Sequence, residues 1–224
     1  MEQNFLVDRT EKSIVELLMS KQYKVGDVIP KELELVTMLG VSRTIVREAF
    51  TRLRIKGFIE SRKKRGTIIK SPNIVSVLEQ SMNPNFLGDA TLKDIFEMRL
   101  ALEVGISDLI FKRATNEDIL ELRKIVAKEP EEMELDIFEI EQEIAFHGKL
   151  YEITGNTTMK DFQKMLLPIF NYVHNSSSFL TPIPKVKRMV SHKDLVDIIE
   201  KGTPNKLRKA MRDHLNPHFV RLFR

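Results

Sequence analysis

Two groups of residues in this chain could do chemistry. The first lies in GVSRTIVREAFTRL, residues 40–53, where Val46, Ala49, Phe50 and Leu53 recur at i, i+3, i+4 and i+7 and so form one buried helical stripe. Ser42, Arg43, Thr44 and Arg47 open the solvent side at the N-terminal end of the same helix. Their hydroxyls and guanidiniums are donors that reach phosphates and base edges where a recognition helix enters a major groove. A plain arginine-rich surface helix is the competing reading of this composition. A run of four cations, Arg62, Lys63, Lys64 and Arg65, ends in Gly66 a few residues later. Between the β-prone stretches 57–60 and 67–70 it makes the tip of a hairpin, chemistry that suits phosphate or minor-groove contact.

The second group is drawn from five histidines, His147, His174, His192, His214 and His218, and the carboxylates near them. Glu143 stands four residues before His147, so the two share a helix face. His192 precedes Gly202 by about as many residues as His214 follows it. An antiparallel helix pair turning at Gly202 therefore sets these two imidazoles side by side. Three nitrogens and one oxygen from neighbouring helices suit Zn²⁺, Ni²⁺ or a similar divalent ion. Two alternatives stand beside this: polar histidines on half-buried faces, and an i, i+4 clamp made by His214 with His218.

The elements that must position these residues are mainly helical. The spacing predicts a helix over 8–21, a second starting at Ile29-Pro30 and stopped by Gly40, and the recognition helix from Ser42. Helix, tight glycine turn and helix is the helix-turn-helix layout, and the hairpin after it is a wing. The segment around Lys70, Ser71, Pro72 and Asn73 breaks the pattern, which divides the chain into domains 1–72 and 73–224. Beyond it the expected helices are 75–82, 91–113, 116–127, 134–154, 157–175, 187–201 and 203–222. Thr91 to Asp94 and Thr115 to Asp118 resemble capping boxes, and Thr203-Pro204 is an N-cap with proline at the first helical position. The fold class is thus mainly α, a winged helix-turn-helix domain followed by an all-α bundle.

Composition narrows the classes further. Of 224 residues 42% are apolar and 30% charged, ordinary for a folded soluble protein. The absence of cysteine excludes disulfides, thiolate nucleophiles and cysteine-ligated zinc fingers, so a metal site must use histidine and carboxylate. No apolar run approaches the roughly 20 residues a bilayer span requires, and the N-terminus has no signal-peptide core, so a cytoplasmic protein without membrane partners is expected. Residues 1–72 hold 15 Lys and Arg against 9 Asp and Glu, and residues 73–224 hold 21 against 23. The basic excess lies wholly in the first third, the footprint of a nucleic-acid-binding domain joined to one with other business.

The stretch GDVIPKELELVTMLGVSRTIVREAFTRLRIKGFIESRKKRGTIIK resembles the winged helix-turn-helix of the GntR family of bacterial transcription regulators. The resemblance implies DNA contacts from Ser42, Arg43, Thr44 and Arg47 and, in the wing, from Lys63, Lys64, Arg65 and Gly66. Leu33 stands where the family often has a basic residue. MRLALE (98–103), FHGKLYEITGN (146–156), His192 and RKAMRDHL (208–215) resemble the FCD ligand-binding domain of the FadR subfamily. That resemblance implies a divalent metal held by Glu143, His147, His192 and His214, with Glu143 where aspartate is usual. It also implies an effector cavity faced by Arg99, whose guanidinium could hold a carboxylate bidentately. Bracing of the helix through the i, i+4 pair of Arg99 with Glu103 is the alternative. Together these imply a metabolite-responsive regulator, a repressor acting as a homodimer on a pseudo-palindromic double-stranded DNA operator, with a small carboxylate effector beside the metal. A metal-dependent enzyme acting on a small acid and a structural nucleoid binder are the other classes.

Overall fold

Val46, Ala49, Phe50 and Leu53 are all buried, on a helix that runs from Arg43 to Ile55. They belong to a computed structural model that describes residues 2–79, 81–129, 140–175 and 190–222. The chain divides into two units, Met1–Leu78 and Glu79–Arg224. The first contains α1 (Glu2–Ser20), α2 (Glu32–Leu39) and α3 (Arg43–Ile55). Val7, Ile14 and Leu18 of α1 and Leu35 of α2 close over the α3 stripe to make its core. Helix α1 begins earlier than the expected residue 8 because its apolar stripe does: Val7, two turns before Ile14, is fully buried. Arg52 pairs with Asp8 and Lys56 with Glu11, tying the rim of α3 to α1.

The turn between α2 and α3 is made by Gly40 at φ 64, the left-handed conformation that costs glycine least, with its N–H donated to Val36 O. Ser42 is the N-cap of α3, its hydroxyl accepting the Ile45 N–H at 3.4 Å. The start of the second helix differs from expectation, for α2 begins at Glu32 rather than at Ile29-Pro30. A residue before proline is driven toward extended backbone. Here Ile29, 3% exposed, donates its N–H to Thr67 O at 2.9 Å, and Val28 bridges Ile68 in antiparallel sense.

The segment thus pairs with the wing, whose strands β1 (Ile59–Arg62) and β2 (Gly66–Ile69) run antiparallel in the register Ile59↔Ile69 to Arg62↔Gly66. Two residues expected at the tip, Ser61 and Arg62, therefore lie in strand β1, and Gly66 opens β2 at φ 93. The loop itself is Lys63, Lys64 and Arg65. Arg65 donates its N–H to Arg62 O at 3.1 Å, and Lys64 sits at φ 67.

Helix α4 (Ile74–Glu79) closes the first unit, and in the second a 3-10 turn, Pro84–Phe86, precedes α5 (Asp89–Gly105), α6 (Ser107–Arg113), α7 (Asn116–Val126), α8 (Ile140–Ile153), α9 (Thr157–Asn175), α10 (His192–Lys201), α11 (Pro204–His214) and α12 (Asn216–Leu222). The expected 91–113 helix is two helices. Gly105 is a poor helix former, and the buried Ile106 at ψ −4 ends α5 and starts α6. Thr91 lies inside α5, capped from Gly88, so it is no N-cap. The expected 203–222 helix also breaks, at Leu215, because Pro217 has no N–H to return to the preceding turn. Thr115 with Asp118 forms its capping box, and Thr203 caps α11 ahead of Pro204. Residues 134–139 and 187–189 of the expected helices lie outside the described residues. Among the described residues no helix is long and apolar enough to cross a membrane.

Candidate functional site

On the first unit, Arg43, Thr44 and Arg47 are exposed on the first turns of α3, opposite the buried stripe. Arg47 Nε is 3.9 Å from Glu32 Oε2 with its side chain 67% exposed, and Arg54 Nη2 is 3.8 Å from Glu32 Oε1. Such long, solvated pairs cost little to exchange for a phosphate. Ser42 spends a lone pair on its cap and keeps its O–H as a donor. Lys63, Lys64, Arg65 and Gly66 are exposed at the hairpin end. Leu33 is 61% exposed on α2, an apolar side chain with no donor for a phosphate.

In the second unit the four residues expected to hold a metal come together. One ligand atom from each of Glu143, His147, His192 and His214 lies within 4.8 Å of the others, and all four residues are buried. Helical periodicity on α8 turns Glu143, Phe146, His147, Leu150 and Tyr151 to one side. His192 is the first residue of α10 and His214 the last of α11, and their rings are 4.7 Å apart across the Gly202 turn. Ser191, capping α10 through the Asp194 N–H, fixes where His192 leaves the helix.

The outer nitrogens are held. His192 Nδ1 is 2.6 Å from Glu129 Oε1, and His214 Nδ1 is 3.0 Å from the Val190 carbonyl. His147 Nδ1 lies 2.8 Å from Glu103 Oε2, an ion-pair approach not aligned as a hydrogen bond. Each Nδ1 being turned to an acceptor sets the Nε2 inward, the arrangement usual for imidazole ligands. The Nε2 atoms of His147 and His192 approach Glu143 at 3.3 and 3.5 Å, yet neither makes a hydrogen bond among the described residues. Two atoms bound to one ion at about 2.1 Å stand roughly 3–4 Å apart, so the donor set fits a small divalent cation with little closure.

Electrostatics point the same way. Among the described residues, Glu103, Glu129 and Glu143 all approach the imidazoles of the cluster, while the one guanidinium beside them, that of Arg99, pairs with Glu103. Burial alone would keep the His147 ring neutral, but the adjacent charges of Glu103 and Glu143 outweigh it and raise its pKa to about 9. Burial would likewise favour protonated Glu103, but His147 and Arg99 hold it far below the carboxylate range. Tyr151, one turn after His147, keeps its phenol proton through burial and the charge of Glu103. Arg99 itself is 4% exposed, donates Nε–H to Glu103 Oε1 at 2.8 Å, and lays its guanidinium 3.8 Å from the centre of the Phe170 ring.

His218, the other half of the rival clamp, instead packs its ring toward Phe96 and Phe170, at 5.8 and 6.4 Å, outside the cluster of four. The side chain of His174 lies outside the described residues. Sequence reasoning missed Glu129 and the Val190 carbonyl, since an acceptor for an Nδ1 has no spacing signature. It noted Glu103 only as a brace for Arg99.

Residues 6–69 match the bacterial regulatory proteins of the gntR family, and residues 94–217 match the FCD domain. The chain is 30% identical to the Uxu operon regulator of Haemophilus influenzae over 97% of its own length and 84% of that protein's. It is 24% identical to the HTH-type transcriptional repressor NanR of Citrobacter rodentium, over 94% of this chain and 83% of that one. Among solved structures, Streptococcus agalactiae GntR is similar at 24% identity, with 95% of this chain and 98% of that chain covered and a TM-score of 0.47. Family and relatives are transcription regulators, not enzymes. With a basic helix-turn-helix head and a helical body that match in these two stretches, the chain belongs to the GntR family of bacterial regulatory proteins and carries an FCD domain.

Proposed function

We propose that this regulator is a repressor whose winged helix-turn-helix domain reads a pseudo-palindromic operator as a homodimer, and whose FCD domain answers a small carboxylate bound beside a Zn²⁺ or Ni²⁺ ion. Ser42, Arg43, Thr44 and Arg47 enter the major groove while Lys63, Lys64, Arg65 and Gly66 meet the backbone at the wing. Glu143, His147, His192 and His214 hold the ion, and Arg99 takes the acid. The observation that carries the reading is the convergence of three imidazoles and a carboxylate to within 4.8 Å inside the helical unit. The Nε2 atoms of His147 and His192 are buried without a hydrogen bond among the described residues, a cost that a bound ion would offset. An acid that binds one state of the dimer better than the other shifts the DNA-competent population by that difference.

Two measurements on purified protein test this. Fluorescence anisotropy should give a salt-sensitive preference for the protein's own upstream region over random duplex, and metal analysis with mass spectrometry should find one ion per chain and a co-purifying small acid. No preference at any salt overturns the DNA half, and metal-free protein that fails to take up zinc overturns the other.

A further inference from the structure

Glu103 joins two groups that the reading above treats as separate. It is 1% exposed, and each of its oxygens has a different neighbour. Oε1 accepts the Arg99 Nε–H at 2.8 Å, and Oε2 lies 2.8 Å from His147 Nδ1. Arg99 and Glu103 stand one turn apart on α5, while His147 comes from α8. Beyond Arg99 the line continues to its Nη1, which is buried without a hydrogen-bond partner among the described residues. Beyond His147 it continues to Nε2, in the cluster of four. One carboxylate is therefore shared between the guanidinium that would take an acid and an imidazole that would take an ion.

We propose that Glu103 is a positioning residue that couples the charge on Arg99 to the affinity of the Glu143, His147, His192 and His214 cluster for a divalent cation. This rests on the metal reading above and adds a regulatory link to it. A carboxylate charge 2.8 Å from Nδ1 raises the basicity of the imidazole and makes its Nε2 a better donor to a metal. Arg99 competes for that same carboxylate, and in a buried site the competition is poorly screened. An acid docked on Nη1 offsets the guanidinium charge, leaves Glu103 acting more fully on His147, and so tightens the ion. Linkage then requires the ion to tighten the acid by the same factor. A merely structural Arg99–Glu103 brace makes no such demand.

The test uses full-length protein and zinc alone, with affinity read by competition against a chromophoric chelator and ligand geometry read from the visible spectrum of the cobalt-substituted form. Glu103→Gln should weaken zinc roughly 10–100-fold and shift the cobalt bands. Arg99→Met, which removes the competing charge at similar length, should tighten zinc by roughly fivefold or more. In the double variant the effect of Arg99→Met should fall below about twofold, because the carboxylate that transmits it is gone. Glu103→Asp and Arg99→Lys, which keep the charges, should stay near wild type and serve if a neutral variant fails to fold. Independent effects that simply multiply, or an Arg99→Met protein with unchanged or weaker zinc binding, overturn the coupling while leaving the metal site standing. Wild-type protein that binds no zinc overturns both.

Discussion

Arg43 and Arg47 on α3 and Arg99 on α5 are the same side chain in opposite surroundings. The first two stand in solvent, Arg47 with only a 3.9 Å approach to Glu32. Arg99 is sealed between the Phe170 ring and Glu103. Exposed pairs are worth about 0–1 kcal/mol, so Arg43 and Arg47 contribute little to the fold and remain open to a binding partner. Breaking a buried pair costs several kcal/mol, roughly 3–5, because it strands a charge. On the proposed function, ligand binding and folding stability draw on the same contacts in the helical unit, whereas at Arg43 and Arg47 they are separable.

The largest effect that would test this contrast is removal of the ion. If it is present at about 100 times its Kd, chelation withdraws about 2.7 kcal/mol and lowers the melting temperature by roughly 5–10 °C. His192→Ala and His214→Ala should match the chelated protein, with the ion absent by elemental analysis. Equal metal content and equal melting in wild type and both variants would break the comparison.

Next come Arg43→Ala and Arg47→Ala, each expected to cost about 1–3 kcal/mol on operator and less on random duplex. Their melting temperatures should stay with wild type, since surface changes move stability by less than about 0.5 kcal/mol. A drop of many degrees in either would show these arginines to be structural.

The pH dependence sharpens the second half. In chelated protein, the raised pKa of His147 gives stability that is fully present below about 6.5 and lost as pH rises through about 9. Zinc takes the neutral ring, so zinc binding strengthens over the same interval. Melting curves with and without zinc should diverge as pH climbs from 6.5 to 9, and parallel curves would remove His147 from the ligand set.

The smallest effect concerns Lys64. Lys64→Ala should weaken operator and random DNA alike and reduce the salt slope by about 1. Lys64→Gly should do the same to binding yet raise stability by up to about 1 kcal/mol, because φ 67 costs glycine nothing. A Lys64→Gly protein less stable than wild type would mean the side chain, not the backbone, is what the tip needs.

The α3 helix was legible because a single period fixes both its buried side, Val46 to Leu53, and its cap at Ser42. The four-residue cluster was legible for a related reason: Glu143 and His147 share a helix, and the turn at Gly202 fixes the register of His192 against His214. What sequence spacing could not carry was anything set by contact between distant segments. Glu129 reaches His192 across 63 residues, and Val28 finds Ile68 across 40. Helix breaks at Ile106 and Leu215 were hidden because Gly105 and Pro217 sit within stretches whose apolar period continues unbroken.

That pairing of Val28 with Ile68 has a mechanical consequence. Strand β2 is clasped on both edges, by β1 on one side and on the other by bonds from Gly26 N–H to Ile69 O, Ile69 N–H to Asp27 O and Ile29 N–H to Thr67 O. The root of the hairpin should consequently exchange its amide hydrogens slowly at Ile29 and Ile69, while Lys63 and Lys64 exchange at once. A stem held on both edges fixes where the exposed Lys63, Lys64 and Arg65 stand relative to α3.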